Sequence, residues 1–297
     1  MPALYTHYKF GKDVLNELDF KEEILNNIKY YDMYNQGFDN LYYHYKLSYY
    51  KKFGIKAHSY NIEDFFRNIF KYINDNKLND NSKITNILYG FINHYTLDTI
   101  IHPYINYQVK NLNIPHTKIE YMLDYYLFKK TNSKWENKIY KTLIPKLKFD
   151  EDVINFINYV FEETYNEKEI GKVFNRSHNN SYYIYRYLVS DLYGIKKSFY
   201  KIADFISKSN FKYSENTFTK EIDVRILNNE KLTWYNPKSK DETYSYSFEE
   251  LYQFTQDICI YLCNNAYEVL NNKLDIEDFI KLINSINLNN LEEFKKD

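Results

Sequence analysis

The chain has 297 residues, with 39 Lys and Arg against 40 Asp and Glu and a formal net charge of −1. That balance offers no overall electrostatic attraction to nucleic acid or to an anionic membrane. Only 6 Gly and 5 Pro occur, too few for a sandwich or barrel with a turn every ~10 residues. Long helices are therefore expected, in a chain long enough to bury one large core. Aromatic residues make up 20%, among them 35 Tyr. With the abundant Asn, Ile and Lys this reads as a codon bias, so no single Tyr is diagnostic.

The first thirty residues scatter Lys9, Lys12, Asp13, Glu17, Asp19, Lys21, Glu22 and Glu23 among their apolar positions. No apolar run of a secretory signal survives that spacing, and no stretch reaches the ~18 apolar residues of a membrane span. Helical periodicity then recurs along nearly the whole chain. Asn61 is expected to cap a helix carrying Ile62, Phe65, Phe66, Ile69, Phe70 and Ile73, with Glu63 and Asp64 in its first turn. Ser82 opens the next helix, and Pro115 starts one that carries Met122, Leu123 and Leu127. Further helices are expected at about 151–165 and 182–207. Residues 211–246, with Trp234, Asn236-Pro237 and the polar stretch from Lys238 to Thr243, depart from the pattern. They read as an excursion with room for a short hairpin. Ser247 and Glu250 form a capping box ahead of Leu251, Phe254, Ile258 and Leu262, and Asp275 begins the last helix. Cys259 and Cys263, the only cysteines, lie four apart on one helix. They cannot build a disulfide framework and read as reduced core residues of a cytoplasmic protein. With no repeat, linker or charge block, the expectation is an all-α single domain over residues 1–297.

The segment from Ser82 to Tyr107 carries the chemistry. On a helical wheel centred on Asp98, the residues Ile84, Ile87, Phe91, His94, His102 and Ile105 fall within about 40° of it. An inward apolar stripe is thus interrupted by His94, Asp98 and His102, three metal-type ligands one turn apart. A single His on such a stripe is ordinarily a hydrogen-bonded core residue. Three consecutive turns of His, Asp and His need a common partner, because an unpaired buried carboxylate costs several kcal/mol, and zinc suits imidazole and carboxylate donors. Pro103 is expected to kink or end the helix just beyond them. His116 and Glu120, again four apart, continue into Leu123 and Leu127 and form a second inward pair.

The run from Gly90 through His94, Asp98 and His102 to Pro103, followed by His116-x-x-x-Glu120, resembles the zinc-dependent phospholipase C family. That family shares an all-α fold with single-strand-specific nucleases that also act as 3′-nucleotidases. The opening Met-Pro-Ala-Leu-Tyr-Thr-His7 is similar to the start of its short, signal-less bacterial members. Gln36-Gly37-Phe38-Asp39 looks like their Gln-Gly-Pro-Asp element, with Phe in place of Pro. His58 takes the place of the His before their next helix, and Ser-Phe-x-x-Leu-Tyr at 247–252 resembles a late helix. These motifs concentrate in residues 1–125. The resemblance implies a first zinc on Asp39, His58, His94 and Asp98, and a second on His102, His116 and Glu120. It implies a third on His7, bridged by Asp98. Secreted members complete that third site with an N-terminal Trp, whereas Met1-Pro2 stands here. Removal of Met1 would leave the Pro2 amine to serve, so two or three zinc ions are implied. His44 and His178 are left over, and His178 reads as solvated in an Asn/Ser-rich loop.

The implied activity is phosphoester hydrolysis by zinc-activated water, with Asp39 as the catalytic carboxylate that orients or deprotonates that water. The expected partner is a small phosphoester or phospholipid, not nucleic acid. No oligomeric state is legible, and no amphipathic basic helix marks a membrane-docking face. Two rival readings stand beside this one: a nuclease or 3′-nucleotidase of the same fold, and a non-catalytic scaffold stabilised by metal.

Overall fold

Apolar residues at helical spacing dictate the architecture, and the computed structural model describes residues 4–44, 47–131, 140–144, 146–189, 195–207, 213–217, 220–289 and 291. Among these, thirteen α-helices and one two-stranded sheet form an all-α fold. The first three helices are α1 (Leu4–Glu17), α2 (Lys21–Leu25) and α3 (Ile28–Tyr34), followed by a 3₁₀ turn, Gly37–Tyr43. Then come α4 (Leu47–Ala57), α5 (Ile62–Asp75), α6 (Ser82–Leu112), α7 (His116–Lys130) and the single turn α8 (Tyr140–Leu143). The rest are α9 (Glu151–Tyr165), α10 (Ile170–Ile184), α11 (Ile195–Ser207), α12 (Phe248–Leu270) and α13 (Ile276–Ser285). No helix among the described residues is long and apolar enough to cross a membrane.

The 31-residue α6 is the axis of the fold. It is buried on every side from Ile84 to His94, as a helix surrounded by others must be, and it packs against α1, α3, α7 and α12. Its N-terminus is capped by Asn81, whose side chain accepts from the amides of Lys83 and Ile84. Ser82 is the first helical residue, as expected. The helix runs through Pro103 to Leu112 instead of ending there. Contacts beyond the proline hold it: Tyr104 is buried, its hydroxyl donates to the Ile226 carbonyl at 2.7 Å, and Gln108 donates back to that hydroxyl at 2.9 Å.

Residue Asn61 stands at the N-cap of α5 but caps nothing with its side chain. Its left-handed backbone, φ 55°, turns the amide towards the Thr164 carbonyl at 3.5 Å. The expected helix at 182–207 is two helices, α10 and α11, with a π turn at Tyr185–Val189 between them; α10 also begins earlier than the pattern indicated. The excursion at 211–246 does contain a hairpin, β1 (Trp234–Asn236) paired antiparallel with β2 (Ser239–Tyr244). Trp234 anchors it, buried against the Tyr104 ring at 5.1 Å, with its indole N–H donating to the Tyr246 carbonyl at 3.0 Å. Helix α11 turns its apolar side outward: Ile195, Phe199, Ile202, Phe205 and Ile206 are all solvent-exposed beside lysines.

The capping box of α12 is formed, Ser247 Oγ accepting from the Glu250 amide at 3.2 Å while Glu250 Oε2 accepts from the Ser247 amide at 3.0 Å. Cys259 and Cys263 are free and buried, and Cys259 donates to Asn93 Oδ1 at 2.9 Å. Ser247→Ala is expected to lower stability by about 1 kcal/mol, and Trp234→Ala by about 3–5 kcal/mol. Urea unfolding of the two variants checks the ordering; equal losses would mean that the hairpin is not anchored through its indole.

Candidate metal centre

Spacing by four on α6 places His94, Asp98 and His102 on consecutive turns of one face. Asp98 is their hub. Its Oδ1 lies 3.3 Å from His7 Nε2 and 3.3 Å from His102 Nδ1, and its Oδ2 lies 3.5 Å from His58 Nε2 and 3.6 Å from His94 Nε2. His7 comes from α1, and its ring packs on that of His94 with centroids 4.9 Å apart. Asp39 comes from the 3₁₀ turn, its Oδ1 3.2 Å from His58 Nε2 and its Oδ2 4.0 Å from His7 Nε2.

His58 follows α4 directly. Its Nδ1 sits 2.6 Å from the Gly54 carbonyl, which can only accept, so Nδ1 carries the hydrogen. In the neutral ring the lone pair then belongs to Nε2, which faces Asp39, Asp98 and, at 3.1 Å, His94 Nε2. Such a backbone partner on the far nitrogen is how metal-ligating imidazoles are held.

A second group forms where α7 meets α6. Glu120 Oε1 lies 2.9 Å from His116 Nε2 and 3.6 Å from His102 Nε2, and the rings of His102 and His116 stack at 5.5 Å. His102 therefore touches both groups, Asp98 through one nitrogen and Glu120 through the other. Donor atoms of His7, Asp39, His94 and Asp98 all lie within 4.8 Å of one another, and so do those of His102, His116 and Glu120. All eight residues singled out from the sequence converge. His7 enters the same group as Asp39, His94 and Asp98, while Pro2, the expected extra donor, lies outside the described residues.

The electrostatics follow from burial. Burial alone would raise the carboxylates. The hydrogen bond and charge of His58 nevertheless hold Asp39 below its usual range, and the charges of His102 and His94 with the His7 hydrogen bond hold Asp98 well below it. Hydrogen bonds from His102 and His116 take Glu120 down to about 2. Burial works against charge on the imidazoles too, and it wins at His94, which falls to about 4. At His7 the Asp98 hydrogen bond overcomes it, at His58 the Asp39 bond does, and at His102 Asp98 and Glu120 lift the ring to about 9. Three ionised carboxylates are thus packed among imidazoles. Asp98 Oδ2, Glu120 Oε2 and His94 Nδ1 are buried with no hydrogen bond, a costly state for carboxylate oxygens. Imidazole and carboxylate donors converging this closely fit zinc, which would satisfy those oxygens directly.

Neighbouring residues hold these side chains in place. Gly37 has φ 43°, and a Cβ there would strike the His94 ring, so both backbone and space require glycine. Gln36 Nε2 donates to the Leu4 carbonyl at 3.1 Å, tying the 3₁₀ turn to α1. Phe38, where the family resemblance expects Pro, is buried against Phe65, Phe91 and the His58 ring. Asp124 was missed in the sequence. It is buried one turn beyond Glu120 and accepts from the Thr6 amide and hydroxyl, each at 2.7 Å, and from the Tyr5 amide at 3.2 Å. It therefore fixes the first turn of α1, and with it His7, to α7. The available signal was its spacing of four from Glu120. Of the leftover histidines, His44 is buried against the Tyr50 ring. His178 is buried within α10 rather than solvated in a loop, because residues 170–184 continue as helix and turn it inward.

A cleft of about 940 Å³ opens onto this wall, lined by Asp39, His58, Asp98, His102, His116 and Glu120. Lys238, at the hairpin turn, is the one Lys or Arg in its lining among the described residues. The model of the family described as zinc dependent phospholipase C matches residues 6–167, more than half of the chain. The chain belongs to the zinc-dependent phospholipase C family. Comparison with curated proteins and with solved structures gives no match. The family match runs past the motifs legible in the sequence, through the end of α9, which packs on α5 and α10. Family and donor groups together support a metal-dependent hydrolase.

Gly37→Ala is expected to displace the His94 ring and weaken zinc binding about 10–100-fold, measured by competition with a chelator of known affinity. Unchanged affinity would mean the ring yields freely. Asp124 supplies a pH signature. Burial pushes it up to about 7 against its three hydrogen bonds, whereas in the unfolded chain it ionises near 3.8. Unfolding therefore releases a proton between those values, and stability falls as pH rises through that window. Asp124→Asn is expected to flatten this slope in urea melts at pH 5 and pH 7; an unchanged slope assigns it elsewhere.

Proposed function

We infer that the protein is a zinc-dependent phosphoesterase of the phospholipase C type, hydrolysing a phospholipid or a related small phosphodiester. One observation carries this reading: two groups of metal-type donors share one wall of one cleft and meet at His102. In the reading, Asp39, His58, His94 and Asp98 hold one zinc and His102, His116 and Glu120 a second, with His7 a further donor beside Asp98. Zinc bound there supplies an acidified water and a positive field for the phosphate oxygens.

The chain's own residues do the rest. Asp39 is ionised and lies in the cleft wall, so its carboxylate is the acceptor for the proton of the attacking water. The Gly54 carbonyl fixes the His58 ring beside it, with Nε2 3.2 Å from Asp39 Oδ1. The ammonium of Lys238, at the hairpin turn in the lining of the cleft, attracts the anionic ester into it. The hairpin stays rigid because Trp234 is pinned to α6 and Tyr244 donates to Asn289 at 2.6 Å.

The side chains of His102 and His116 are 33% and 34% exposed, which favours an open, catalytic arrangement over a closed structural one. Among the lining residues Glu63 and Asp64 accompany a single Lys, which weighs against a polyanionic nucleic acid as substrate. The cytoplasm is the compartment proposed, on the strength of the two free, buried cysteines.

Elemental analysis of the purified protein should find at least two zinc ions per chain. Glu120→Gln should remove about one of them, while Asp98→Asn should weaken all. The zinc-loaded protein should hydrolyse bis(p-nitrophenyl) phosphate, and Asp39→Asn should lower kcat by about 10²–10⁴-fold. Less than one metal per chain after chelator-free purification, or metal without hydrolysis of any phosphoester, overturns the reading.

A further inference from the structure

Helix α11 is amphipathic in the wrong sense for a soluble core. Its apolar residues Ile195, Phe199, Ile202 and Ile206 fall within about 40° of one another's mean direction on a helical wheel. That stripe faces solvent, at 58%, 68%, 59% and 71% exposure, and the adjoining Phe205 reaches 87%. The opposite side faces the protein. Asp204 lies there, buried, its carboxylate accepting from the amides of Tyr213 at 2.7 Å and Ser214 at 2.9 Å.

Such a stripe in water is unfavourable, since each large apolar side chain forgoes burial. Its flanks say what chemistry covers it. Lys196, whose ammonium donates to the Arg186 carbonyl at 2.8 Å, and Lys201 stand on the two sides of the stripe, about 100° and about 120° from Ile195 in opposite directions. The long stem of Lys201 carries its ammonium to the level of anionic headgroups while the stripe sits deeper, and the bonded Lys196 adds its positive charge on the other side. The only acidic residue of α11 is Asp204, on the far side. Exposed Tyr187, 57% accessible, precedes the helix and supplies an aromatic side chain of the kind that settles at a lipid–water boundary.

We propose that α11 is a lipid-docking helix, which lies in the surface of an anionic phospholipid bilayer with Ile195, Phe199, Ile202, Phe205 and Ile206 inserted. The lysine flanks commit the occupant to anionic lipid rather than to a second copy or a protein partner. The proposal rests on the phospholipase reading for its purpose, since it would bring the cleft to a membrane-borne substrate, but not for its physical basis.

The test uses the zinc-loaded full chain with two vesicle types, phosphatidylcholine alone and phosphatidylcholine with about one third phosphatidylserine, read by flotation. The wild type should partition onto the anionic vesicles and release as salt is raised. The double variant Phe199→Gln, Ile202→Gln should lose at least about tenfold in partitioning, with unchanged zinc content and unchanged turnover of the soluble bis(p-nitrophenyl) phosphate. Lys201→Glu, which leaves the apolar stripe intact, should lose binding to anionic vesicles only. The proposal is overturned if the wild type ignores anionic vesicles, if the double variant floats equally well, or if sedimentation shows a wild-type dimer that the double variant dissolves. Vesicle binding without turnover of any phosphoester would sink the phospholipase reading and leave the docking helix standing. Turnover of the soluble ester without vesicle binding would do the reverse.

Discussion

Asp98 faces four imidazoles, two on each carboxylate oxygen. Its charge is the constraint around which the rest is arranged. A buried carboxylate is tolerable only when opposite charge surrounds it, and the four neighbours of Asp98 come from three pieces of chain: α1, the residue after α4, and α6 itself, one turn to either side. Asp39 and Glu120 extend the same alternation outwards, so that negative and basic groups follow one another along the cleft wall. The elements that deliver these groups are held by unrelated means. Asp124 ties α1 to α7, Gln36 ties the 3₁₀ turn to α1, and the Gly54 carbonyl fixes the His58 ring.

Helix α6 gives this wall its rigidity. Its first half is buried on all sides, with Asn93 accepting from Cys259 on α12 and donating to Asn35 at 2.8 Å. Its second half carries the hairpin through Tyr104 and Trp234. One continuous helix therefore connects the core, both groups of donor side chains and the hairpin that carries Lys238. Helix α11 stands apart from this scheme, with its apolar side turned outwards.

Local chemistry was legible in the sequence where it is periodic. His94, Asp98 and His102 share a helical face because a spacing of four fixes that geometry wherever the helix goes. The box at Ser247 and Glu250 formed for the same reason, since its partners are three residues apart. What could not be read depended on tertiary contacts. The turns after Pro103 persist because Tyr104 and Gln108 find partners on another segment. Asn61 abandons its capping role for Thr164, about a hundred residues away. His178, in a polar-looking stretch, is buried because α10 begins at Ile170 and presents that face inwards. Asp124 anchors α1, a partner 118 residues distant, and α11 has the moment of an ordinary core-facing helix, so the pattern alone gives no sign that its apolar side points away. The convergence of His7, Asp39 and His58 on α6 was read only through resemblance to a family, not from spacing.

Pro103 has a consequence for the cleft itself. It lacks the N–H that would close the helical bond to the carbonyl of Thr99, and both residues line the cleft. The backbone of α6 thus lacks its usual internal donor at the level of Asp98 and His102. An acceptor made this way belongs to the main chain. Substitution of the Thr99 side chain leaves it in place, whereas any other residue at position 103 would restore the donor and quench it.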